Sequence, residues 1–450
     1  MLFRKIESKI HNFLSSSPDK ILIVEGARQI GKSFIIRYIG ERLFENFIEI
    51  NLLEDANGPR LFENTTTTEE FYLVLSSIYG EKLDKKENTL IFLDEIQEYP
   101  HLFTLLKFLK QEGKYTYICS GSLLGVTLRQ TVSIPIGSIK ILQMYPLDFE
   151  EFLIANGVGE DVLNYLQNCF INQTSPNEAI HSRTMDLFRR YLIVGGMPDA
   201  VNEFLASKNI VKIREIQSDI HRLYGDDATK YDIEHKLKII RIYNLLPSNL
   251  SNKKKRLVFK NIEGIKGKRN SDYEDEIDYL INSGVTLETK AISNPKFPLT
   301  ESEHKNLLKL YLNDVGILSY LLYHNNVKAI LDNIESINLG AVYECAVAME
   351  LKAHGNKLFY YDNRKNGEVD FLVDDYENLS VLPIEVKSGK DYNVHSAMTR
   401  FVNVEDYHIK FGIVLSNGRE VNNTGKIVYM PVYMVMYFNT STTTTECSLL

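Results

Sequence analysis

Apolar, β-branched and aromatic residues form short runs in the first third of the chain, at residues 21–24, 89–93 and 115–119. Each run stops at small or charged polar residues, as buried parallel strands do when a ligand lies at their carboxyl ends. Helices are predicted to follow at 34–38 and 102–109. This part of the chain is therefore predicted to alternate strands with helices, which is the α/β fold class.

The pattern changes after residue 230. Residues 235–246 have the spacing of an amphipathic helix, which Pro247 is expected to end. A second helix is predicted at 273–282, and a β-rich run follows at 285–288.

Near the C-terminus, the pattern predicts an apolar helix at residues 339–349 and two alternating strands at 368–373 and 383–389. Strict alternation gives the first of these strands two different faces. The apolar face carries Val369, Phe371 and Val373, and the acidic face carries Glu368 and Asp370.

Composition is that of an ordinary soluble protein, with 44% hydrophobic and 24% charged residues. A chain of 450 residues is too long for one core, so two or three domains are expected. No run is apolar enough to span a bilayer, and residues 1–7 carry charges where a signal peptide is apolar. No membrane partner is expected, and the expected location is cytoplasmic. The net charge of -8 argues against a surface that binds polyanions as a whole, but it is compatible with a local basic patch.

The four cysteines, Cys119, Cys169, Cys345 and Cys447, lie far apart and form no CxxC pair. Neither a disulfide framework nor a zinc site is predicted from this spacing. They are expected to be reduced residues that pack in the interior.

A glycine-rich loop lies between the first predicted strand and the helix that follows it. In a loop of this kind, the glycines let backbone N–H groups surround a triphosphate, a lysine reaches the outer phosphates and a serine hydroxyl ligates magnesium. A chance glycine turn is the alternative, but the required strand and helix flank the loop here. The loop predicts ATP and Mg2+ as cofactors, held by Gly26, Ala27, Arg28, Gln29, Ile30, Gly31, Lys32, Ser33 and Phe34.

Two carboxylates, Asp94 and Glu95, end the second apolar run. A buried strand that ends in this way is typical of a magnesium site next to bound nucleotide. We expect Asp94 to hold the metal, usually through water, and Glu95 to polarise the water that attacks the γ-phosphate. The alternative is that the pair caps the helix predicted at 102–109.

The third run ends at Ser120 and Ser122, which should face the same ligand because the carboxyl ends of parallel strands meet at one edge of a sheet. Either serine is a candidate to sense the γ-phosphate or to orient the attacking water. A serine-glycine turn without a functional role is the alternative.

Five short motifs occur in order at residues 26–33, 93–97, 120–122, 146–152 and 191–198. Together they resemble the successive signatures of prokaryotic AAA+-type ATPases that carry a C-terminal domain of unknown function, DUF4143. The resemblance spans nearly the whole chain. It implies a P-loop NTPase domain with a small helical lid at residues 1–230.

One position departs from the family pattern. Relatives commonly have Gly-Arg shortly before the fourth motif, whereas this chain has Gly137-Ser138. If that arginine contacts nucleotide in relatives, its role here is vacant or passes to Arg129, Arg189 or Arg190.

For residues 231–305, the helices followed by a short ribbon resemble a winged-helix fold, which the family also implies. DNA contact through the predicted helix is disfavoured because its acidic residues would repel phosphates. A basic run precedes it and forms either a solvated surface or a nucleic-acid contact. The run comprises Lys253, Lys254, Lys255, Arg256, Lys260, Lys266, Lys268 and Arg269.

The C-terminal strands and helix carry Glu344, Asp370, Glu385 and Lys387. On alternating strands, Glu385 and Lys387 project together and can meet Asp370, so that two carboxylates hold magnesium and the lysine stabilises charge or assists a water. The arrangement resembles the PD-(D/E)xK restriction-endonuclease-like fold. Edge strands with exposed charges are the alternative.

The sequence thus predicts an ATPase domain at 1–230, a winged-helix-like segment at 231–305, a nuclease-like α/β DUF4143 domain at 306–438 and a disordered tail at 439–450. The predicted function is that of an Mg-dependent ATPase whose nucleotide cycle controls its C-terminal domains. The alternative is an ATP-regulated, metal-dependent DNA nuclease or a DNA-binding defence protein. A scaffold that binds ATP without hydrolysing it is disfavoured, since it would not need Glu95 as a base. Candidate partners are ATP, DNA and further copies of the chain.

Overall fold

The computed structural model describes residues 1–16, 19–83, 88–122, 136–227, 233–332, 334, 337–363, 367–389 and 396–438. The chain forms two compact units. The N-terminal unit contains residues 3–145 and 278–285, and the C-terminal unit contains residues 146–277 and those from Thr286 onwards. The four segments predicted from the sequence stay a prediction, and the tail predicted at 439–450 lies outside the described residues.

The N-terminal unit is built on one parallel sheet. Its strands are β1 (Ile21–Glu25), β2 (Asn46–Asn51), β3 (Thr89–Asp94), β4 (Thr116–Gly121) and β5 (Ile139–Gln143), and its helices are α1 (Lys5–Ser15), α2 (Lys32–Leu43), α3 (Leu52–Asn57), α4 (Thr68–Tyr79) and α5 (Leu102–Glu112). The strand order is β2-β3-β4-β1-β5, and all pairings are parallel. This sheet confirms the predicted α/β class.

Strands β1 and β3 are buried along their whole length, which explains why their residues 21–24 and 90–93 are all apolar. One cluster of buried side chains joins the sheet to helices α4 and α5, with Ile91 and Leu93 of the sheet packed among Phe71, Leu75 and Phe103. Each such buried side chain contributes roughly 1.5–3 kcal/mol to stability. The packing therefore fixes the carboxyl ends of the strands, where the polar residues follow.

The C-terminal unit begins with a helical region. Its helices are α6 (Phe149–Ala155), α7 (Glu160–Ile171), α8 (Glu178–Val194), α9 (Pro198–Ser207), α10 (Ile210–Asp227), α11 (Ile233–Ser251) and α12 (Lys260–Glu263). Helix α13 (Glu274–Asn282) crosses the boundary between the two units. Four more helices follow, α14 (Val315–Tyr323), α15 (Lys328–Leu331), α16 (Gly340–Ala353) and α17 (Ser396–Val402). Within the described ranges, no helix has the length and apolar character needed to cross a membrane.

The prediction that Pro247 ends its helix was wrong, because α11 continues to Ser251. Leu246 and Leu250 are buried on either side of the proline. Ser251 Oγ also donates a hydrogen bond to Pro247 O at 3.0 Å. Apolar packing on both sides of Pro247 offsets the loss of the backbone hydrogen bond that its missing N–H would have donated.

The second part of the C-terminal unit is an eight-stranded mixed sheet in the order β12-β13-β11-β10-β9-β8-β6-β7. Its strands are β6 (Thr286–Ile292), β7 (Glu303–Leu312), β8 (Phe359–Asn363), β9 (Gly367–Asp375), β10 (Ser380–Val386), β11 (Gly412–Ser416), β12 (Asn422–Thr424) and β13 (Ile427–Pro431). The ribbon predicted at 285–288 thus falls in β6, which pairs with β7 and β8 in this larger sheet. The winged-helix assignment therefore stays unconfirmed.

Strict alternation along β9 was a wrong prediction. Phe359 of β8 pairs with Leu372, whereas Tyr361 pairs with Val369, so that β9 advances by three residues while β8 advances by two. This β-bulge puts Val369 and Leu372 in the same buried cluster. The Phe371 ring instead lies against Tyr311, with ring centroids 5.6 Å apart.

Cys119, Cys169 and Cys345 are buried free thiols, as expected for packing residues. Cys447 lies outside the described residues.

Candidate functional site

The glycine-rich loop leaves β1 and enters α2 at Lys32. Gly31 has a φ of 91°, in the left-handed region that glycine adopts without strain. Gly26 has no room for a side chain, since a Cβ there would lie 2.3 Å from the carbonyl oxygen of Met144. Both positions therefore require glycine, one for its backbone angle and one for close packing.

The Lys32 ammonium is folded into this loop. Its Nζ donates to Gly26 O at 3.0 Å and to Ala27 O at 2.8 Å, and the side chain is buried. Burial lowers the pKa of Lys32 to about 8, although the charges of Glu95 and Asp94 act in the opposite direction. The loop thus holds a desolvated cation, which anionic phosphate oxygens would stabilise.

Ser33, Asp94 and Ser120 form one hydrogen-bonded group. Ser33 Oγ donates to Asp94 Oδ2 at 2.7 Å, and Ser120 Oγ donates to Asp94 Oδ1. Burial raises the pKa of Asp94 despite these two bonds. Hydroxyl and carboxylate oxygens are the ligands that magnesium prefers, with phosphate oxygens and waters completing its coordination. Ser33 and Asp94 therefore fit a magnesium ion.

Glu95 belongs to a second polar group at the same sheet edge. Its Oε2 accepts hydrogen bonds from Gln97 Nε2 and, at 3.1 Å, from Ser122 Oγ. Arg28 Nε donates to Ser122 Oγ at 3.3 Å. Burial alone would raise the pKa of Glu95, but Lys32, Gln97 and Arg28 outweigh burial and hold it below its usual value. Glu95 is therefore ionised at neutral pH, as a proton acceptor must be.

The capping alternative for Asp94 and Glu95 is not what the structure has. Helix α5 begins at Leu102, and neither carboxylate bonds to its first turn. Glu95 instead has a left-handed φ of 56° and leads into the short 3-10 turn Ile96–Glu98. Such a backbone is uncommon outside glycine and costs about 1 kcal/mol or more.

Sequence reasoning missed Arg4 and Gln97. Arg4 is buried, and its guanidinium donates to Ile30 O at 2.9 Å and to Tyr145 O at 2.5 Å. It therefore joins the N-terminal segment to the glycine-rich loop. No local pattern around residue 4 signals this contact, whereas Gln97 lies beside the acidic pair and was within reach of motif reasoning.

The candidates for the missing arginine have different positions. Ser138 directly precedes β5, whose Ile139 pairs with Ile21 at the start of β1. Position 138 therefore lies near the amino end of β1, whereas the phosphate loop follows the carboxyl end of β1. The two ends of this strand are roughly 13 Å apart. Arg190 pairs with Asp186 at 2.8 Å in the C-terminal unit, which also holds Arg189. Arg129 lies outside the described residues.

The fourth and fifth motifs meet within the C-terminal unit. Leu147 N donates to Gly196 O at 2.7 Å, and Tyr191 OH donates to Leu147 O at 2.8 Å. Gly196 N donates to Asp314 Oδ2 at 2.7 Å. A Cβ at Gly196 would lie 2.1 Å from Leu147 O. These two motifs therefore have a structural role in packing the helices.

The structure brings the four C-terminal site residues together. Val386 N donates to Asp370 Oδ2 at 2.8 Å, and Lys387 Nζ lies 2.8 Å from Glu385 Oε1. Burial, reinforced by the charge of Asp370, raises the pKa of both Glu344 and Glu385. The predicted convergence is thus present, and Asp370 joins it from the bulged part of β9.

Lysines contact the site carboxylate Glu344 and the neighbouring Glu368. Lys255 Nζ contacts Glu344 Oε1, and Lys309 Nζ lies 2.6 Å from Glu368 Oε1. Tyr311 OH donates to Glu344 Oε2 at 3.0 Å. Across the described part of the chain, no group of three or more His, Cys, Asp or Glu residues is arranged to hold a metal ion. The predicted magnesium set therefore does not fit as these side chains stand.

Comparison with protein-family models assigns the parallel sheet and the glycine-rich loop to a known domain family. Residues 18–153 match the model of an AAA domain, AAA_14. Residues 185–328 match a domain of unknown function, DUF8612, and residues 339–435 match another, DUF4143. A search of curated proteins found no match.

Among solved structures, the chain resembles the Walker-type ATPase paby2304 of Pyrococcus abyssi, with 14% identity over 72% of this chain and 96% of the other, at a TM-score of 0.44. It also resembles the RuvB Holliday junction branch migration motor of Thermotoga maritima, with 13% identity, coverage of 64% and 90% and a TM-score of 0.28. For Cdc6p of Pyrobaculum aerophilum, the identity is 12%, the coverage 73% and 93% and the TM-score 0.24. Similarity at this level carries no argument about function.

The parallel sheet, the glycine-rich loop and the AAA match together define a P-loop ATPase domain. More particularly, the chain joins an AAA_14 domain to a C-terminal DUF4143 domain. A P-loop ATPase domain binds nucleotide, typically with magnesium.

Proposed function

We propose that this protein hydrolyses ATP with magnesium, and that its nucleotide cycle controls the C-terminal domains. The observation that carries the first part is the 2.7 Å contact between Ser33 Oγ and Asp94 Oδ2. This contact brings the end of the phosphate loop and the end of β3 close enough for the two side chains to hold the same ion. Magnesium bound there supplies charge stabilisation to the phosphates.

Each remaining residue has a separate role in this proposal. Lys32 and the N–H groups of residues 26–34 bind the triphosphate. Glu95 accepts the proton of the attacking water. Ser120 and Ser122 are positioning residues, because each donates to one of the two carboxylates. Arg28 fixes Ser122 from the loop side.

Phosphate release measured against pH tests the ATPase proposal. Release should require Mg2+ and stop in EDTA. Above about pH 8, kcat/KM should fall as Lys32 loses its proton in the free enzyme. The fall in kcat should begin at higher pH, because bound phosphates favour the charged ammonium. Phosphate release that persists in EDTA would contradict these roles. They would also be contradicted if kcat and kcat/KM began to fall at the same alkaline pH.

Control of the C-terminal domains has a physical route in the segment at residues 278–285. This segment belongs to the N-terminal unit, although the chain first passes through residues 146–277. A Cβ at Gly284 would lie 3.0 Å from Ala27 N, so Gly284 packs directly on the phosphate loop. Strand β6 begins only two residues later, at Thr286. A change in the loop on hydrolysis would thus reach the first strand of the eight-stranded sheet.

Gly284→Ala should weaken ATP binding by about 10-fold, because the added methyl group displaces a backbone N–H that faces the phosphates. Gly264→Ala is the matched control, since Gly264 has the same φ of 75° but no atom within 4 Å of its Cβ position. Titration with a fluorescent ATP analogue measures both. An unchanged affinity for the ATP analogue in Gly284→Ala would contradict the proposal that Gly284 links the phosphate loop to strand β6.

The second candidate function is an ATP-regulated, metal-dependent DNA nuclease. The convergence of Asp370, Glu385 and Lys387 favours it. Against it, Glu344 and Glu385 contact Lys255 and Lys387, respectively. In the part of the chain that the structure describes, these carboxylates also do not form a group that could hold a metal ion. We therefore rank nuclease activity below ATP hydrolysis.

A further inference from the structure

The basic run after α11 divides into an outward and an inward part. Lys253 and Lys254 are exposed. The next two side chains, Lys255 and Arg256, are only 15% and 19% exposed and contact Glu344 and Asp362, respectively. Lys255 therefore belongs to the interior of the C-terminal unit and is unlike a solvated surface lysine.

The backbone turns at Lys255 to direct this side chain inward. Its φ is 49°, a left-handed conformation that lysine rarely adopts. Two residues later, Leu257 N donates to Leu308 O of β7 at 2.9 Å, which anchors the segment on the sheet. A residue in such a conformation persists only where the surrounding structure holds it there, and the buried contact of the Lys255 side chain is part of that structure.

The contact is with a buried group of three carboxylates. Glu344, Asp370 and Glu385 are 2%, 9% and 7% exposed. Among the described residues, Glu385 Oε2 has no hydrogen-bond partner, although it is buried. Carboxylates that close repel one another unless a cation lies among them. Lys255 contacts Glu344 and Lys387 contacts Glu385 Oε1, so Lys255 lies where a metal ion shared by these carboxylates would have to lie.

We propose that Lys255 is a tethered cation that takes the place of a divalent metal ion among Glu344, Asp370 and Glu385, and that removing its charge opens this group to Mn2+ or Mg2+. The proposal concerns cation binding alone. It holds whether or not the protein hydrolyses ATP or cleaves DNA.

Binding of Mn2+ to the full-length chain, without nucleotide and followed by the electron paramagnetic resonance of free Mn2+, tests the proposal. Lys255→Met should bind one Mn2+ that the wild type excludes, so that the number of bound ions per chain rises by one. The additional Mn2+ should be lost when Lys255→Met is combined with Glu385→Gln. The difference in Mn2+ binding between the single and the double variant also subtracts any ions bound at Ser33 and Asp94.

Two variants serve as controls. Lys255→Arg keeps the charge and should exclude Mn2+ as the wild type does. Lys254→Met removes a neighbouring exposed lysine and should change nothing. In EDTA, Lys255→Met should melt about 5–10 °C below the wild type, because loss of the lysine charge leaves buried carboxylates uncompensated. Addition of Mn2+ should restore much of this difference in melting temperature.

A melting loss that Mn2+ does not restore would overturn the proposal and leave Lys255 as a structural ion pair. Wild-type Mn2+ binding that depends on Glu385 would overturn it as well. If Lys255→Met folds poorly, the yield of folded protein after refolding in EDTA is compared with the yield in Mn2+. Equal yields would count against the proposal.

Discussion

Lys32→Ala should abolish ATP binding, whereas Glu95→Gln should bind ATP almost as well as the wild type and stop hydrolysis. The Lys32 ammonium lies inside the phosphate loop, 3.0 and 2.8 Å from two of its carbonyl oxygens. Its loss removes the cation for the phosphates and leaves both carbonyls without their donor, so that affinity should fall by about 100-fold or more.

Glu95→Gln keeps the size of the side chain and its capacity to accept from Ser122, but it removes the proton acceptor. We expect kcat to fall by about 10²–10⁴ with little change in affinity. Binding of radiolabelled ATP and release of phosphate separate the two effects. Glu98→Gln, in the turn that follows, is the matched control and should retain both. Equal loss of binding in the Lys32 and Glu95 variants would refute the assignment.

Gly195→Ala should destabilise the C-terminal unit by about 3 kcal/mol or more. Gly195 ends α8 with a φ of 75° and a ψ of -165°, a region that is essentially restricted to glycine. A Cβ there would lie 2.2 Å from Asp314 Oδ1. Asp314 is fully buried and accepts from Gly196 N and, at 2.9 Å, from Ile317 N. The methyl group would displace the carboxylate from both donors, and each unmet buried group costs about 1–3 kcal/mol.

Gly157→Ala measures the cost of a Cβ at a positive φ where no clash occurs. Gly157 has a φ of 76°, but nothing lies within 4 Å of its Cβ position. It should cost only about 1 kcal/mol. The free energy of unfolding in urea measures both variants. If the two lose the same stability, strain alone explains the effect and Asp314 is not essential to the join between the fourth and fifth motifs.

The sequence by itself determined the parts of the protein that depend on neighbours in the chain. The phosphate loop was predictable because its glycines, lysine and serine lie within one short stretch, between a strand and a helix with clear patterns. Strand β3 and helix α16 were predictable for the same reason, since burial on all sides gives mostly apolar sequences, to which the buried carboxylates Glu344 and Glu350 of α16 are exceptions. The AAA_14 match at residues 18–153 and the DUF4143 match at residues 339–435 confirm the two domains that these motifs implied.

Only the tertiary structure decided how residues far apart in sequence compensate one another. Arg4 reaches Ile30, Lys255 reaches Glu344, and Asp314 fills the space beside Gly195. The bulge in β9 and the continuation of α11 past Pro247 also arise from pairing and packing that no local pattern shows. Alternation assumes a regular strand, and a proline rule assumes an isolated helix. Both fail where the free energy of long-range contacts exceeds a local preference of about 1–3 kcal/mol.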